Sequence, residues 1–298
     1  MPGPSRPTLR RIELGYELKK LREKAELTRD QAVQGLQLSE SKLLRIETGL
    51  HDLRSAELLR RLLERYAVTE ATDATAVSEL LRVQREASSQ EWWAGYRSVM
   101  PSGMHRFVGI ESAAVAVDTY HPTLVPGLLQ SESYARALYT LAKPVEETTT
   151  EFRERNVELR MRRKDALFCD SGSEQDAEPP RLSAIIYEPA LRYTVGSPTV
   201  MREQYEEIIQ LAGRDNVTIQ VLPQGTRGYL NPFDFTLLHL GPVLPTAVQV
   251  DAGAPSVTDK PREVLKFVRK FEAMSRSALA PEDTHLFMQQ LSREMMIE

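Results

Sequence analysis

The sequence predicts a mainly α-helical chain with a smaller α/β part: an N-terminal five-helix head followed by a mixed helix-and-sheet body. Three observations carry that expectation. Two cap-forming residues, Thr28 and Ser39, stand eleven positions apart, each ahead of a short amphipathic run. Leucine-rich runs at helical spacing dominate the first third of the chain. Strand-like runs begin beyond residue 180, with a helical run between the first two, which suggests a crossover unit in a small mixed sheet.

Taken in order, Pro2, Pro4 and Pro7 make the first residues an extended arm. A first helix is expected over 10–25, burying Leu14, Leu18 and Leu21. Thr28 caps a short helix over 29–36, and Ser39 caps the next, 40–48, which Gly49 ends. Ala32, Val33, Leu36, Leu38, Leu43 and Ile46 are spaced to share one small core, leaving Glu40, Ser41, Lys42 and Arg45 outside. Two capped helices joined by a tight turn make a helix-turn-helix. A helix that offers its polar N-terminal turn to solvent suits a major groove about 12 Å wide. A fourth helix over 55–66 carries Leu58, Leu59, Leu62 and Leu63 and closes a domain of residues 1–70. A fifth, over 73–91 with Val77, Leu80, Leu81 and Val83, opens a helical and aromatic linker over 71–106. Trp92, Trp93 and Tyr96 cluster there, as a stacking platform or, the favoured reading, as packing at a domain junction.

The body spans 107–298. Helices are expected over 111–120, 133–141 and 147–168. The last bears Arg153, Arg155, Arg160, Arg162, Arg163 and Lys164, interleaved with Glu151, Glu154, Glu158 and Asp165, the pattern of a solvated face rather than a DNA-binding one. A polar acidic loop over 170–180 precedes strands over 182–187, 217–222, 233–239 and 247–250, with a helix over 199–212. Helices over 261–274 and 281–295 close the chain.

The formal net charge of −4 hides an asymmetry. Residues 1–70 hold 14 Lys and Arg against 11 Asp and Glu, hence +3, leaving 24 against 31, hence −7, for the rest. A weakly positive head neutralises few phosphates, so tight DNA binding needs a second copy or specific contacts. The first residues lack the apolar stretch of a signal peptide and no run of eighteen apolar residues exists, so a cytoplasmic protein with no membrane span is expected. Cys169 is the sole cysteine, which excludes an intramolecular disulfide and is read as a small hydrophobe.

The ordered set LKKLREKAELT, QLS and SKLLRIETG resembles the XRE family of Cro-like and phage-repressor-like DNA-binding domains. The resemblance implies that Arg22 pairs with Glu47, tying the first helix to the recognition helix. Three residues depart from the family pattern: Arg29 stands where glutamine is common, and Glu26 and Gln37 where glycine is, so the last two need a less favoured turn conformation. From Phe107 onward the chain resembles the C-terminal domain of unknown function found behind XRE heads in actinobacterial WhiJ-like regulators. That match rests on IESAAVAVDTYHPTLVPGLLQSESYARAL, RMRRKDAL, YEPALRYTVGSPTVMREQYEEIIQLAGRDNVTIQVLP and NPFDFTLL.

The expected function is sequence-specific binding of duplex DNA by a homodimer on an inverted repeat, with the body supplying dimerisation and sensing of an unidentified effector. Glu40, Ser41 and Lys42 are the candidates for base edges; Thr28, Arg29, Ser39 and Arg45 are those for phosphates. Glu40 is equally well read as a first-turn charge favoured by the helix dipole. A second expectation, implied by the WhiJ-like resemblance, is a body that binds a small companion protein encoded nearby while the head localises the pair. An enzyme is not expected: no phosphate-binding loop, dinucleotide fingerprint, HExxH or GxSxG is present, and histidines 51, 105, 121, 239 and 285 are scattered without ligand spacing, so neither metal nor cofactor is expected. The Gly- and Tyr-bearing loop over 224–232 is the place for a ligand pocket, with Tyr187, Glu188, Tyr229 and Asp251 as candidates.

Overall fold

Pro7 opens the first helix instead of extending an arm; its missing N–H costs nothing at that position. The computed structural model describes residues 7–88, 92–101, 103–146, 148–168, 179–242, 244–251 and 255–296. Cys169 and nearly all of the 170–180 loop lie outside the described residues, as do Pro2 and Pro4. Among the described residues helix accounts for 59% and strand for 12%, so the chain is mainly α with a smaller α/β part. It divides into two compact units, with the boundary at Ala94/Gly95, inside a 3₁₀ segment Trp92–Val99.

The first unit holds five helices, α1 (Pro7–Lys24), α2 (Arg29–Val33), α3 (Glu40–Glu47), α4 (Ala56–Arg65) and α5 (Glu70–Ala87). One core joins Leu14 and Leu18 of α1, Ala32 and Val33 of α2, Leu43 and Ile46 of α3, and Leu59, Leu62 and Leu63 of α4. Val77, Leu80 and Val83 of α5 belong to that same core, and buried Gln84 donates to the carbonyls of Leu53 and Arg54, both at 2.8 Å. The helix expected to bridge head and body therefore packs within the head, because its apolar stripe faces α1. Asp73 leaves helical geometry and its carboxylate accepts from the Ala76 N–H at 2.9 Å, capping the longer part of α5.

The second unit is built on a six-stranded sheet of order β3-β2-β1-β4-β5-β6, from β1 (Ala116–His121), β2 (Arg181–Tyr187), β3 (Val217–Leu222), β4 (Asp234–His239), β5 (Ala247–Asp251) and β6 (Pro255–Thr258). Strands β1, β2 and β3 are parallel; β4, β5 and β6 continue antiparallel from β1. The helices are α6 (Met104–Glu111), α7 (Glu132–Glu146), α8 (Thr150–Phe168), α9 (Glu188–Arg192), α10 (Pro198–Ala212), α11 (Pro261–Ser275) and α12 (Pro281–Glu294). Tyr120, Ile185, Phe235, Leu237 and Val248 form an apolar face that packs on Phe267, Phe271 and Met274 of α11.

One sequence expectation fails here and another holds only in part. In place of the helix expected over 111–120, α6 ends at Glu111 and residues Ala116–His121 form the central strand β1, hydrogen-bonded on both sides. A short apolar run buried on two faces carries no period to separate strand from helix. The basic α8 is solvated on one side only, where Glu151, Glu154, Glu158, Arg162 and Asp165 are exposed. Asn156, Val157, Leu159, Arg163 and Leu167 are buried, and Arg163 makes a two-pronged pair with buried Glu111 at 2.7 and 2.8 Å. Burial alone would lower the Arg163 pKa, but the Glu111 carboxylate outweighs it and the shift is upward.

The same helix locks the VPGLLQ segment. Arg160 donates to the Gln130 side chain and to Tyr139 Oη, and Lys164 donates to the Gln130 carbonyl at 3.2 Å. Gln130 in turn donates to the Val125 carbonyl at 2.7 Å, and Gln204 of α10 bridges the Ser131 N–H and the Leu129 carbonyl. Buried side-chain amides thus satisfy backbone groups at the short 3₁₀ turn Gly127–Leu129 that its own ladder leaves open. Tyr96 is held similarly, donating to Glu158 at 2.6 Å beneath the Arg155 guanidinium.

Candidate nucleic-acid interface

The turn chemistry that sets up the candidate interface is local. Thr28 Oγ1 accepts from the Gln31 N–H at 3.2 Å, and Gln31 Oε1 accepts from the Thr28 N–H at 2.8 Å, closing a capping box on α2. Ser39 Oγ accepts from the Lys42 N–H at 3.2 Å and starts α3. The threonine and the serine expected as caps therefore act as caps. Between the helices the left-handed residue is Gly35, with φ +69°, and not Gln37; Glu26, at the end of α1, does take φ +55°. Arg61 and Arg65 of α4 donate to the carbonyls of Gly35 and Gln31, at 3.0 and 2.8 Å, closing the end of α2.

Helix α3 is held from behind at its C-terminal half. Glu47, fully buried, accepts from Arg22 Nε at 2.5 Å, from Arg22 Nη2 at 3.2 Å and from Arg29 Nε at 2.8 Å. Arg22 also donates to the Leu27 carbonyl at 2.7 Å. Hydrogen bonding to Glu47 raises the Arg22 pKa against the opposing effect of burial. Arg22 and Glu47 are thus together as the family resemblance implied, and Arg29 joins them: its guanidinium lies against Glu47, with 30% of its side chain exposed. At Gly15 of α1, an added Cβ would stand 2.3 Å from the Ile46 carbonyl oxygen and 2.9 Å from that of Glu47, so a glycine is what lets α1 touch the α3 backbone.

The opposite side of α3 faces solvent. Glu40, Ser41, Leu44 and Arg45 are exposed and Lys42 is half-buried. Among the described residues, the side chains of Lys42 and Arg45 enter no ion pair and no hydrogen bond. Ser41 lies within 3.3 Å of the Ser39 hydroxyl. Thr28 and Ser39, both exposed, flank this surface at the starts of the two helices. The helical period had separated these outward residues from the core correctly, but it passed over Leu44, an apolar residue on the polar side.

Of the four candidates for a ligand pocket in the body, Tyr187 and Tyr229 both lie near Tyr120, while the sheet keeps Asp251 apart from Tyr187 and Glu188. Tyr187 and Glu188 stand at the end of β2 and Asp251 at the end of β5, with β1 and β4 between them, a separation of roughly 14 Å at ordinary strand spacing. Burial works against the Glu188 charge, but the Gln224 N–H at 3.0 Å and the Arg192 guanidinium outweigh it and hold the pKa below the ordinary range. Tyr229 donates to the side chain of buried Asn231, which also accepts from Lys270. These contacts fold the 224–232 loop onto the body. Sequence reading also missed an adjacent pair. His121 Nδ1 and Asp234 Oδ2 are 3.9 Å apart across β1 and β4, the histidine pushed down to about 4 by burial and by Arg160 and Arg163, the aspartate pushed up to about 6 by burial and by Asp251.

No described helix is long and apolar enough to cross a membrane. Comparison with curated proteins and with solved structures gives no match. Two family models do match: a helix-turn-helix domain over residues 13–75, which suggests DNA as a partner, and a domain of unknown function, DUF5753, over residues 104–290. The helix-turn-helix match begins within α1, covers α2 to α4 and ends within α5, and the other takes in the whole six-stranded sheet and covers well over half of the 298 residues. With its helix-turn-helix head in front of that body, the chain belongs to the DUF5753 family.

Proposed function

We propose that the protein is a sequence-specific transcriptional regulator and not an enzyme, with an XRE-type head that inserts α3 into the major groove of duplex DNA. The observation that carries this reading is the division of α3: its rear carboxylate is consumed by Arg22 and Arg29, while Glu40, Ser41, Lys42 and Arg45 turn outward. Lys42 is suited to guanine, Glu40 to cytosine, and Ser41 to either kind of edge. Thr28, Ser39 and Arg45 serve phosphates; Arg29 can reach one only by sharing its guanidinium with Glu47. A single head buries a small area, so a homodimer on an inverted repeat is the form with useful affinity. In this reading the WhiJ-like body contributes dimerisation and the response to an effector or a small companion protein.

Fluorescence anisotropy tests the reading, using a duplex from upstream of the protein's own gene and a scrambled duplex across a salt titration. A preference for the upstream duplex that persists as salt rises supports it; equal, weak binding with similar salt slopes refutes it. In the same assay Lys42→Ala weakens the upstream duplex far more than the scrambled one, whereas Arg45→Ala weakens both alike. Equal losses for Lys42→Ala remove it from base reading.

A further inference from the structure

We propose that Leu44 reads the methyl group of a thymine in the major groove, an inference that rests on the DNA-binding reading above. Leu44 is 41% exposed on a helix whose other apolar members, Leu43 and Ile46, are fully enclosed. It takes no part in the head core, which closes without it. A lone exposed leucine is ordinary on a protein surface, so its position is what gives it meaning. It lies one helical turn from Glu40 and from Ser41 and beside Arg45, in the middle of the outward face of α3.

That setting selects the occupant. Leu44, ringed by Glu40, Ser41 and Arg45, and exposed Leu50 beyond the end of α3 together offer too little apolar area for a protein interface, whose centre is a contiguous desolvated patch. The major groove, by contrast, presents an isolated apolar group of matching size, the thymine C5-methyl, among hydrogen-bonding edges that suit the flanking polar residues. Glu40, Ser41 and Lys42 would then distinguish donors from acceptors while Leu44 distinguishes thymine from cytosine at a neighbouring pair.

The experiment is selection of binding sites from a randomised duplex pool by the full-length protein, followed by replacement of each thymine in the enriched site by deoxyuridine, which lacks only the methyl. The wild-type protein loses roughly fourfold in affinity at one such position, the worth of one methyl group returned to water. Leu44→Ala, and Leu44→Gln with its longer polar side chain, bind thymine and deoxyuridine equally there. Since the side chain lies outside the core, both variants keep the wild-type circular dichroism spectrum and melting temperature. An enriched site at which no deoxyuridine matters, or at which the variants retain the full methyl effect, overturns the Leu44 assignment and leaves DNA binding intact. A pool that yields no enriched site overturns the DNA reading itself, and Leu44 with it.

Discussion

Removing the Glu47 carboxylate should unlatch α3. In Glu47→Ala the Arg22 guanidinium, only 7% exposed, loses both Glu47 contacts and keeps its bond to the Leu27 carbonyl and a looser pair with the exposed Glu23 carboxylate, 3.6 Å away. Breaking a buried pair from one side costs about 3–5 kcal/mol, because the remaining charge is left without compensation. The Leu27 contact and the freedom of Arg29 to turn into water place the expected loss at the lower end, about 3 kcal/mol. Hydrogen exchange of the full-length protein reads this directly: amides of α1 and α3 should lose on the order of 10²-fold protection, with β1 and β2 as the internal reference. The double variant Arg22→Met, Glu47→Leu should recover most of the loss, since an apolar pair needs no counter-charge. A loss under about 1 kcal/mol in Glu47→Ala, the scale of a solvent-exposed pair, would refute the latch.

Two further expectations come from backbone geometry and from titration. Gly15→Ala should destabilise the head by about 1–3 kcal/mol and displace α3, because its Cβ meets the Ile46 carbonyl, whereas Gly35→Ala meets nothing within 4 Å and should cost about 1 kcal/mol from its positive φ alone; urea midpoints rank the two, and a larger effect at Gly35 would contradict the close approach of α1 to α3. His121 and Asp234 should pull stability in opposite directions between pH 4 and 6.5. The unfolded histidine takes up its proton near 6.5 and the folded one near 4, so its contribution is present above 6.5 and lost as pH falls; the folded aspartate keeps its proton up to about 6 against 3.8 unfolded, so its contribution is present below 3.8 and lost as pH rises. Each is worth at most about 3 kcal/mol, and less for side chains 22% and 30% exposed. Asp234→Asn should therefore leave stability falling toward acid, and His121→Asn should leave it falling toward neutral, as followed by exchange of β1 and β2 amides; two variants with the wild-type profile would exclude these shifts.

What the sequence made legible was what is encoded by neighbours. Thr28 and Ser39 each cap the residue three places on, and the apolar positions of α1 to α5 repeat at one helical turn, so the head and the outward residues of α3 are legible in the sequence alone. The Val77 and Leu80 spacing predicts a helix over 73–91; the helix runs Glu70–Ala87, with a kink at Asp73, whose carboxylate caps the longer part. What failed depends on residues far apart. Arg163 looks like a surface cation until Glu111, 52 positions away, is seen to bind it. Val117 and Tyr120 look helical until β2 and β4 lie on either side. The short β6 is introduced by a proline, which no strand pattern announces. Within the interface, Arg29 reads in sequence as a phosphate ligand because its partner Glu47 belongs to another helix, and Leu44 reads as core because nothing local distinguishes an outward leucine from an inward one.

The anchorage of α3 has an evolutionary consequence. Beyond the Ser39 cap at its start, the helix is fixed from its rear and its C-terminal half, through Leu43, Ile46, Glu47 and the carbonyls beside Gly15. Residues 40, 41, 42, 44 and 45 carry none of that load with their side chains, so they can be exchanged as a set without melting the head. Such a scaffold permits descendants to acquire new target sites by mutation on one short surface, while the latch, the caps and the core pass unchanged from one copy to the next.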